Sequence, residues 1–303
     1  MSSDWSLVTC RGPGSGTDIA AVRRADGSLV VPDQLRRYHG LIEALGDWDE
    51  LAGSLRATDV SGLASVTGAT IAASVRYPRK VLCAGANYRD HIAEMGGEID
   101  LGSWRPFFFV VPPTTTLIGD GETIVIPDDR AMMVDWEAEL AVVIRRGGRD
   151  IPAAEAGGHV AGYACFSDIT ARGLLRRPAA VAEAFRWDWA GSKSLDTFGP
   201  IGAVTPAWMV PDPGHLSVRC LVNGVVKQDG STSDFICDVS GIVAAASQTW
   251  TLEPGDVIAT GTPAGVGFPR GERLADGNEV RVEISGLVPL VNPVAARVLA
   301  RSQ

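Results

Sequence analysis

The chain has 303 residues, 46% hydrophobic and 21% charged, which is ordinary for a folded globular protein. That length holds one large domain with a small one, or two of ordinary size. Its 27 Lys and Arg stand against 36 Asp and Glu, for a net charge of −9, and this excludes a general nucleic-acid binder, which needs a basic face to neutralise phosphates.

Residues 1–75 read as a small N-terminal α/β domain. Ser6–Thr9 and Ile19–Val22 have the texture of short strands, and Asp26-Gly27 is a hairpin turn signal leading into Leu29–Val31. Leu35–Leu55 carries Leu41, Ile42, Leu45, Trp48 and Leu51 at helical spacing. Thr67–Ser74 leads to Tyr77-Pro78, a boundary where helix is disfavoured. From there residues 76–303 form the second domain. Apolar runs at Val81–Cys83, Phe107–Val111, Thr123–Ile126, Ala138–Ile144, Val160–Phe166, Leu216–Val222, Val257–Thr260 and Val280–Ile284 predict strands. Helical patterns are few: Asn87–Met95, Thr170–Phe185 and Asp238–Gln248. Many strands with few helices predict a β-rich α+β class, without the strand–helix rhythm of a doubly wound sheet.

Five scattered cysteines with no CxxC pair make a zinc ribbon or redox motif a poor fit. Cys83, Cys165 and Cys220 sit among apolar neighbours, as buried thiols in a reducing cytoplasm do. The first residues, MSSDWSLVTC, lack the basic and apolar regions of a signal peptide, and no apolar run is long enough to cross a bilayer. A cytoplasmic location with no membrane contact is expected.

The chemistry concentrates first in Val134–Ile144. Trp136, Ala138 and Leu140 alternate with Asp135, Glu137 and Glu139 before the run turns wholly apolar. Two like charges beside a buried run call for compensation, and Glu137 and Glu139 can share one cation; equally, they are charges that guard a strand edge. Asp168, at the end of an apolar strand, is either a helix cap or a third oxygen ligand. An all-oxygen trio suits Mg²⁺ or Mn²⁺, admits Ca²⁺ and disfavours Zn²⁺. Of the four histidines, His39, His159 and His215 read as surface turn residues. His91 and Glu94, spaced i, i+3, are either an exposed helical pair or a dyad in which the carboxylate raises imidazole basicity. The glycines of Gly255–Gly267 lack a following Gly-Lys-Ser/Thr, so a nucleotide loop is a poor fit, while backbone N–H groups there suit a small anion. Arg172, Arg176, Arg177 and Arg186 are partners for a substrate carboxylate or solvated surface charges.

Between about Lys80 and Asn292 the motifs fall in a specific order. They are Gly85-x-Asn87-Tyr88-x-x-His91-x-x-Glu94, Val134-Asp135-Trp136-Glu137-x-Glu139-Leu140, Gly162-Tyr163, and Asp168-x-x-Ala171-Arg172. Lys193–Phe198, Val222-Asn223-Gly224 with Gln228, Leu252-x-Pro254-Gly255-Asp256 and Thr260-Gly261-Thr262-Pro263 follow. The set resembles the fumarylacetoacetate hydrolase family. The resemblance implies a mixed β-sandwich roll, a homodimer, and Mg²⁺ or Mn²⁺ on Glu137, Glu139 and Asp168. It implies that His91 and Glu94 activate water, that Lys193 faces the substrate, and that Tyr88, Arg172, Gln228 and Thr262 contact it. The implied activity is hydrolysis of a carbon–carbon bond in a small anionic 1,3-diketo acid of the acylpyruvate type. Decarboxylation of a β-keto acid such as oxaloacetate, isomerisation of a dienoate, or non-catalytic binding of a small acid are the alternatives. Three positions depart from the family pattern: Val111 where many members carry Lys, Gly173 where many carry Asp, and Asp276-Gly277-Asn278 for Pro-Gly-Asp.

Overall fold

The computed structural model describes residues 5–12, 14 and 16–298. The outer ends of both expected domains, and the first four residues read for a leader, lie outside them.

Strands β1 (Trp5–Arg11) and β2 (Asp18–Arg24) pair antiparallel, and β2 pairs with β3 (Leu29–Val30) across the expected Asp26-Gly27 turn. The single helix expected over Leu35–Leu55 is instead two, α1 (Leu41–Gly46) and α2 (Trp48–Ala57). Gly46 is a weak helix former, and the Asp47 carbonyl receives the N–H groups of Glu50 and Leu51, so a second helix starts there. Strand β4 (Thr70–Ile71) completes a sheet of order β3-β2-β1-β4.

Beyond Tyr77 come β5 (Val81–Gly85), α3 (Arg89–Glu94), β6 (Phe107–Val111), β7 (Leu117–Ile118), β8 (Ile124–Pro127), β9 (Val134–Asp135) and β10 (Ala138–Ile144). They are followed by β11 (Val160–Ser167), β12 (Thr170–Ala171), α4 (Arg172–Leu175), α5 (Trp189–Lys193), β13 (Gly199–Pro200) and β14 (Thr205–Pro206). The last elements are β15 (Ser217–Val222), β16 (Val225–Ser231), α6 (Val239–Thr249), β17 (Val257–Ala259), β18 (Glu279–Ile284) and β19 (Leu290–Arg297). Each of the expected strand runs is a strand. The helix expected over Thr170–Phe185 is not formed: strand β12, the single turn α4 and a 3-10 turn at Glu183–Phe185 lie there instead. Pro178 offers no N–H to a helix, and the segment folds back so that Arg176 bridges Trp187. Strands β16 and β19 escaped the sequence pattern because the first is largely polar and the second contains Pro293.

Two main sheets result, of order β14-β11-β10-β17-β5-β6 and β16-β15-β18-β19-β8, with both parallel and antiparallel pairs, so the β-rich α+β expectation holds. Period-two alternation on β10 builds two cores from one strand. Leu140, Val142 and Ile144 pack against Val218, Val282 and α6 residues Ile242 and Val243. Ala141 and Val143 face the other way, into a core shared with Leu7, Leu41, Leu45 and Trp48 of the N-terminal unit. Strand β1 also exchanges two hydrogen bonds of 2.8 Å with Val204. The division at residues 75 and 76 is a proposal about folding units, and this shared core means the N-terminal unit covers one face of the larger sheet.

Candidate metal centre

Glu137 and Glu139 have the parity of Ala141 and Val143 but lie where β10 begins, so the face that is core further along opens here onto a cavity. Strand β11 runs antiparallel to β10 with Ser167 opposite Ala138, which brings the end of one beside the start of the other. The Asp168 N–H donates to the Glu137 carbonyl at 2.9 Å. Oxygens of Glu137, Glu139 and Asp168 thereby lie within 4.8 Å of one another. The blander readings do not hold: β10 is flanked by β11 and β17, Glu139 is only 1% exposed, and Asp168 caps no helix.

The charge balance carries more information than the proximity. Lys193 Nζ donates to Glu137 at 2.8 Å and to Asp168 at 2.6 Å. Arg172 donates to Asp135 at 3.1 Å and to Glu137 at 2.5 Å. Four buried carboxylates therefore face two cations, a formal surplus of two negative charges when all four are ionised. Burial pushes Glu139 well above the ordinary carboxylate range, reinforced by Asp168 and Glu137. Burial also pushes Asp168 up to about 6 against the pull of Lys193. Burial works to raise Glu137 too, but Lys193 and Arg172 outweigh it and hold it at about 2. Buried charges persist when paired or when they coordinate a metal. A hard divalent cation matches both the all-oxygen donor set and the missing charge.

The segment after β17 holds this arrangement with its backbone. Gly261 N–H donates to Glu139 at 2.8 Å, and Thr262 Oγ1 donates to the Ala138 carbonyl at 2.9 Å. Gly265 N–H reaches both Glu94 oxygens at 3.0 Å, and Gly267 and Phe268 donate to Asp135 at 2.6 and 3.0 Å. The loop does present amides to anions, as its glycines suggested, but these anions are the protein's own side chains. Glu94, so fixed, lies 3.5 Å from His91 Nδ1, a nitrogen buried without a hydrogen-bond partner.

A cavity of about 440 Å³ joins His91, the three carboxylates, Arg172, Lys193 and Thr262. Glu94 stands behind His91. Two expected contacts are elsewhere. Tyr88 is fully buried, packed edge-on against Phe235 at 4.8 Å, and does not line the cavity. Gln228 is buried behind the site, accepting from Ala138 N–H at 2.9 Å and donating to Thr262 Oγ1 at 2.7 Å. Neither side chain reaches the cavity lining. Arg172 is buried, while Arg176 and Arg177 are exposed and Arg186 pairs with Glu183. His39, His159 and His215 are outside the cavity lining.

Sequence reasoning left Asp135 without a role, although its alternation with Glu137 was a signal; it anchors Arg172 and the Gly267 loop. Thr170 was missed as well, its hydroxyl donating to Glu137 at 3.2 Å. Trp104, Trp187 and Trp189, which also line the cavity, carry no periodic signal. The structure accounts for two departures. A Cβ at position 173 would run into the Ala131 carbonyl, so Gly173 leaves no room for Asp. Val111 is 2% exposed within the second core and brings no cation to the cavity.

A two-sheet roll carries at its strand ends a buried carboxylate trio that could hold a hard divalent cation, with His91 lining the same cavity. Residues 80–295 match the model of the fumarylacetoacetate (FAA) hydrolase C-terminal domain, and the chain belongs to the fumarylacetoacetate hydrolase family. Oxaloacetate tautomerase YisK of Bacillus subtilis is 37% identical over 219 residues, 71% of this chain and 69% of that one. Fumarylacetoacetate hydrolase from Exiguobacterium antarcticum superposes with a TM-score of 0.77 at 32% identity, covering 96% of this chain and 100% of that one. Fumarylpyruvate hydrolase from Pseudomonas aeruginosa, solved with Mn²⁺ and pyruvate, superposes with a TM-score of 0.64 at 32% identity, covering 72% and 90%. Hydrolases and tautomerases thus share this scaffold. Among the described residues no helix is long and apolar enough to cross a membrane.

Proposed function

We propose that the chain is a Mg²⁺- or Mn²⁺-dependent hydrolase that cleaves a carbon–carbon bond in a 1,3-diketo acid of the acylpyruvate type. The carrying observation is that His91, backed by Glu94, lines the same cavity as the buried carboxylate trio. Glu137, Glu139 and Asp168 would hold the cation, and when bound it supplies Lewis acidity and an anchor for the substrate carboxylate and adjacent keto oxygen. Mn²⁺ with pyruvate in the Pseudomonas aeruginosa relative supports that choice of ion and ligand class.

In the proposed mechanism Glu94, held by the Gly265 N–H, orients the imidazole. His91 takes a proton from a water whose oxygen attacks the distal acyl carbon. The bond from that carbon to the adjacent methylene carbon breaks, its electron pair leaving with the pyruvate fragment as an enolate. The proton on His91 passes to the former methylene carbon of that enolate, which becomes the methyl group, giving pyruvate and a carboxylic acid. The Lys193 ammonium, already oriented by Glu137 and Asp168, stabilises the developing negative charge.

A second reading is supported by the tautomerase among the relatives. A base that moves a proton on and off C3 of oxaloacetate needs the same enolate and the same dyad, but no attacking water. Turnover in ¹⁸O-labelled water separates the two. The hydrolase reading expects one ¹⁸O in the acid product from the wild type and none above background from His91→Ala. Turnover of oxaloacetate alone, with no acylpyruvate cleaved, refutes it in favour of tautomerisation or decarboxylation.

A further inference from the structure

We propose that the cavity selects acylpyruvates with an apolar or aromatic acyl end and discriminates against a second carboxylate at that end. This rests on the acylpyruvate reading above and adds the substrate class.

The wall of the cavity begins beside the carboxylates. Lys193 Nζ lies 5.5 Å from the centre of the Phe109 ring. Trp189 stacks on Phe109 at 5.5 Å and meets Phe107 edge-on, also at 5.5 Å. Phe107 and Phe109 point the same way because they are two apart on β6. The Phe107 ring lies across Gly85 of the paired strand β5, where a Cβ would overlap it, so the glycine sets the position of the ring. Trp104 and Trp187 extend the lining. Phe107 is 43% exposed and Trp187 55% exposed. Large aromatic surfaces left open in a cavity mouth are the informative exception to burial.

Charge points the same way. Both lining cations are engaged, Arg172 by Asp135 and Glu137 and Lys193 by Glu137 and Asp168. Outside the carboxylate cluster and the His91 imidazole, the charged lining residue is Glu98, which is acidic. A distal carboxylate would find no unengaged cation in the lining and would share the cavity with the like charge of Glu98. An apolar acyl group would instead cover the open rings, so a chain anchored at the carboxylates reaches a favourable wall directly.

The test compares kcat/KM of the Mn²⁺-loaded protein for benzoylpyruvate and fumarylpyruvate. It adds calorimetric binding of phenylpyruvate and oxaloacetate, which reads the cavity without relying on acylpyruvate cleavage. Benzoylpyruvate should be favoured by about tenfold or more, in line with the discrimination a hydrophobic pocket supplies. Trp187→Ala should erase most of that ratio and Trp187→Phe restore it, while Glu98→Lys should shift the ratio toward fumarylpyruvate. Preference of the wild type for fumarylpyruvate, or a ratio indifferent to Trp187→Ala, overturns the inference and leaves the hydrolase reading intact. If no acylpyruvate is cleaved, the hydrolase reading fails and binding decides the cavity. Phenylpyruvate bound more tightly than oxaloacetate then upholds an aromatic-selective pocket, and the reverse order overturns it.

Discussion

Replacing Glu139 by Gln separates the two consequences of the surplus negative charge. Glu139 has no cationic partner of its own, and its hydrogen bond from Gly261 N–H survives in Gln, whose carbonyl oxygen also accepts. Its carboxyl is raised above the ordinary value of 4.5 by burial and by Asp168 and Glu137. A raised carboxyl binds protons in the folded state that the unfolded state has already lost. The penalty is therefore absent below pH 4.5 and grows as pH rises. At pH 7.5 it is bounded by the work of keeping the group protonated, about 4 kcal/mol at roughly 1.4 kcal/mol per pH unit. Metal-free Glu139→Gln should therefore be more stable than metal-free wild type at pH 7.5, by at most about 4 kcal/mol, and the gap should close near pH 5. Mn²⁺ at a hundred times its Kd should add about 2.7 kcal/mol to the wild type and little to the variant. For a chain of this size that is a rise in Tm of roughly 5 °C. Differential scanning fluorimetry at the two pH values, with and without Mn²⁺, reads all four quantities. A variant less stable than wild type without metal, or one that keeps the full Mn²⁺ shift, refutes the reasoning.

Other outcomes follow from the same geometry. Arg172→Ala leaves Asp135 and Glu137 buried without their guanidinium, and urea denaturation should register a loss of about 3–5 kcal/mol. His91→Ala should abolish acylpyruvate turnover while the Mn²⁺-induced shift in Tm is retained, since the imidazole is not among the ligands. Cation binding must displace the proton that Asp168 carries below about pH 6. Calorimetry should therefore show the Mn²⁺ affinity falling as pH drops through that value, roughly tenfold per unit for each proton displaced. Gly173→Ala should lower stability by about 1–3 kcal/mol, because its Cβ meets the Ala131 carbonyl.

The residue types at the centre were legible because carboxylates beside a buried run are chemically anomalous, and period two put Glu137 and Glu139 on one face. That Asp168 joins them depended on the β10–β11 register, which no local pattern encodes. The pairing of Lys193 with Glu137 and Asp168 was invisible for the same reason: α5 is a short helix among loops, docked by tertiary contacts. Tyr88 was misplaced since a motif position says nothing about the direction of a side chain, and this one turns into the core against Phe235. Helix spacing over Leu35–Leu55 survived a break at Gly46, because both helices turn their apolar faces to the same core. Polar β16 and proline-bearing β19 are strands through pairing rather than propensity. The aromatic wall comes from Trp104 and Trp187 in connecting segments, Trp189 at the start of α5 and two phenylalanines on an edge strand, so only the assembled cavity reveals it.

The central claim is that Glu137, Glu139 and Asp168 jointly hold one divalent cation in the cavity that His91 serves. Anomalous diffraction from crystals grown with Mn²⁺ and pyruvate tests it most directly. The account predicts a single manganese peak in contact with one oxygen of each carboxylate, with pyruvate beside it in the cavity. A manganese peak elsewhere, or one bound without Glu139, contradicts it.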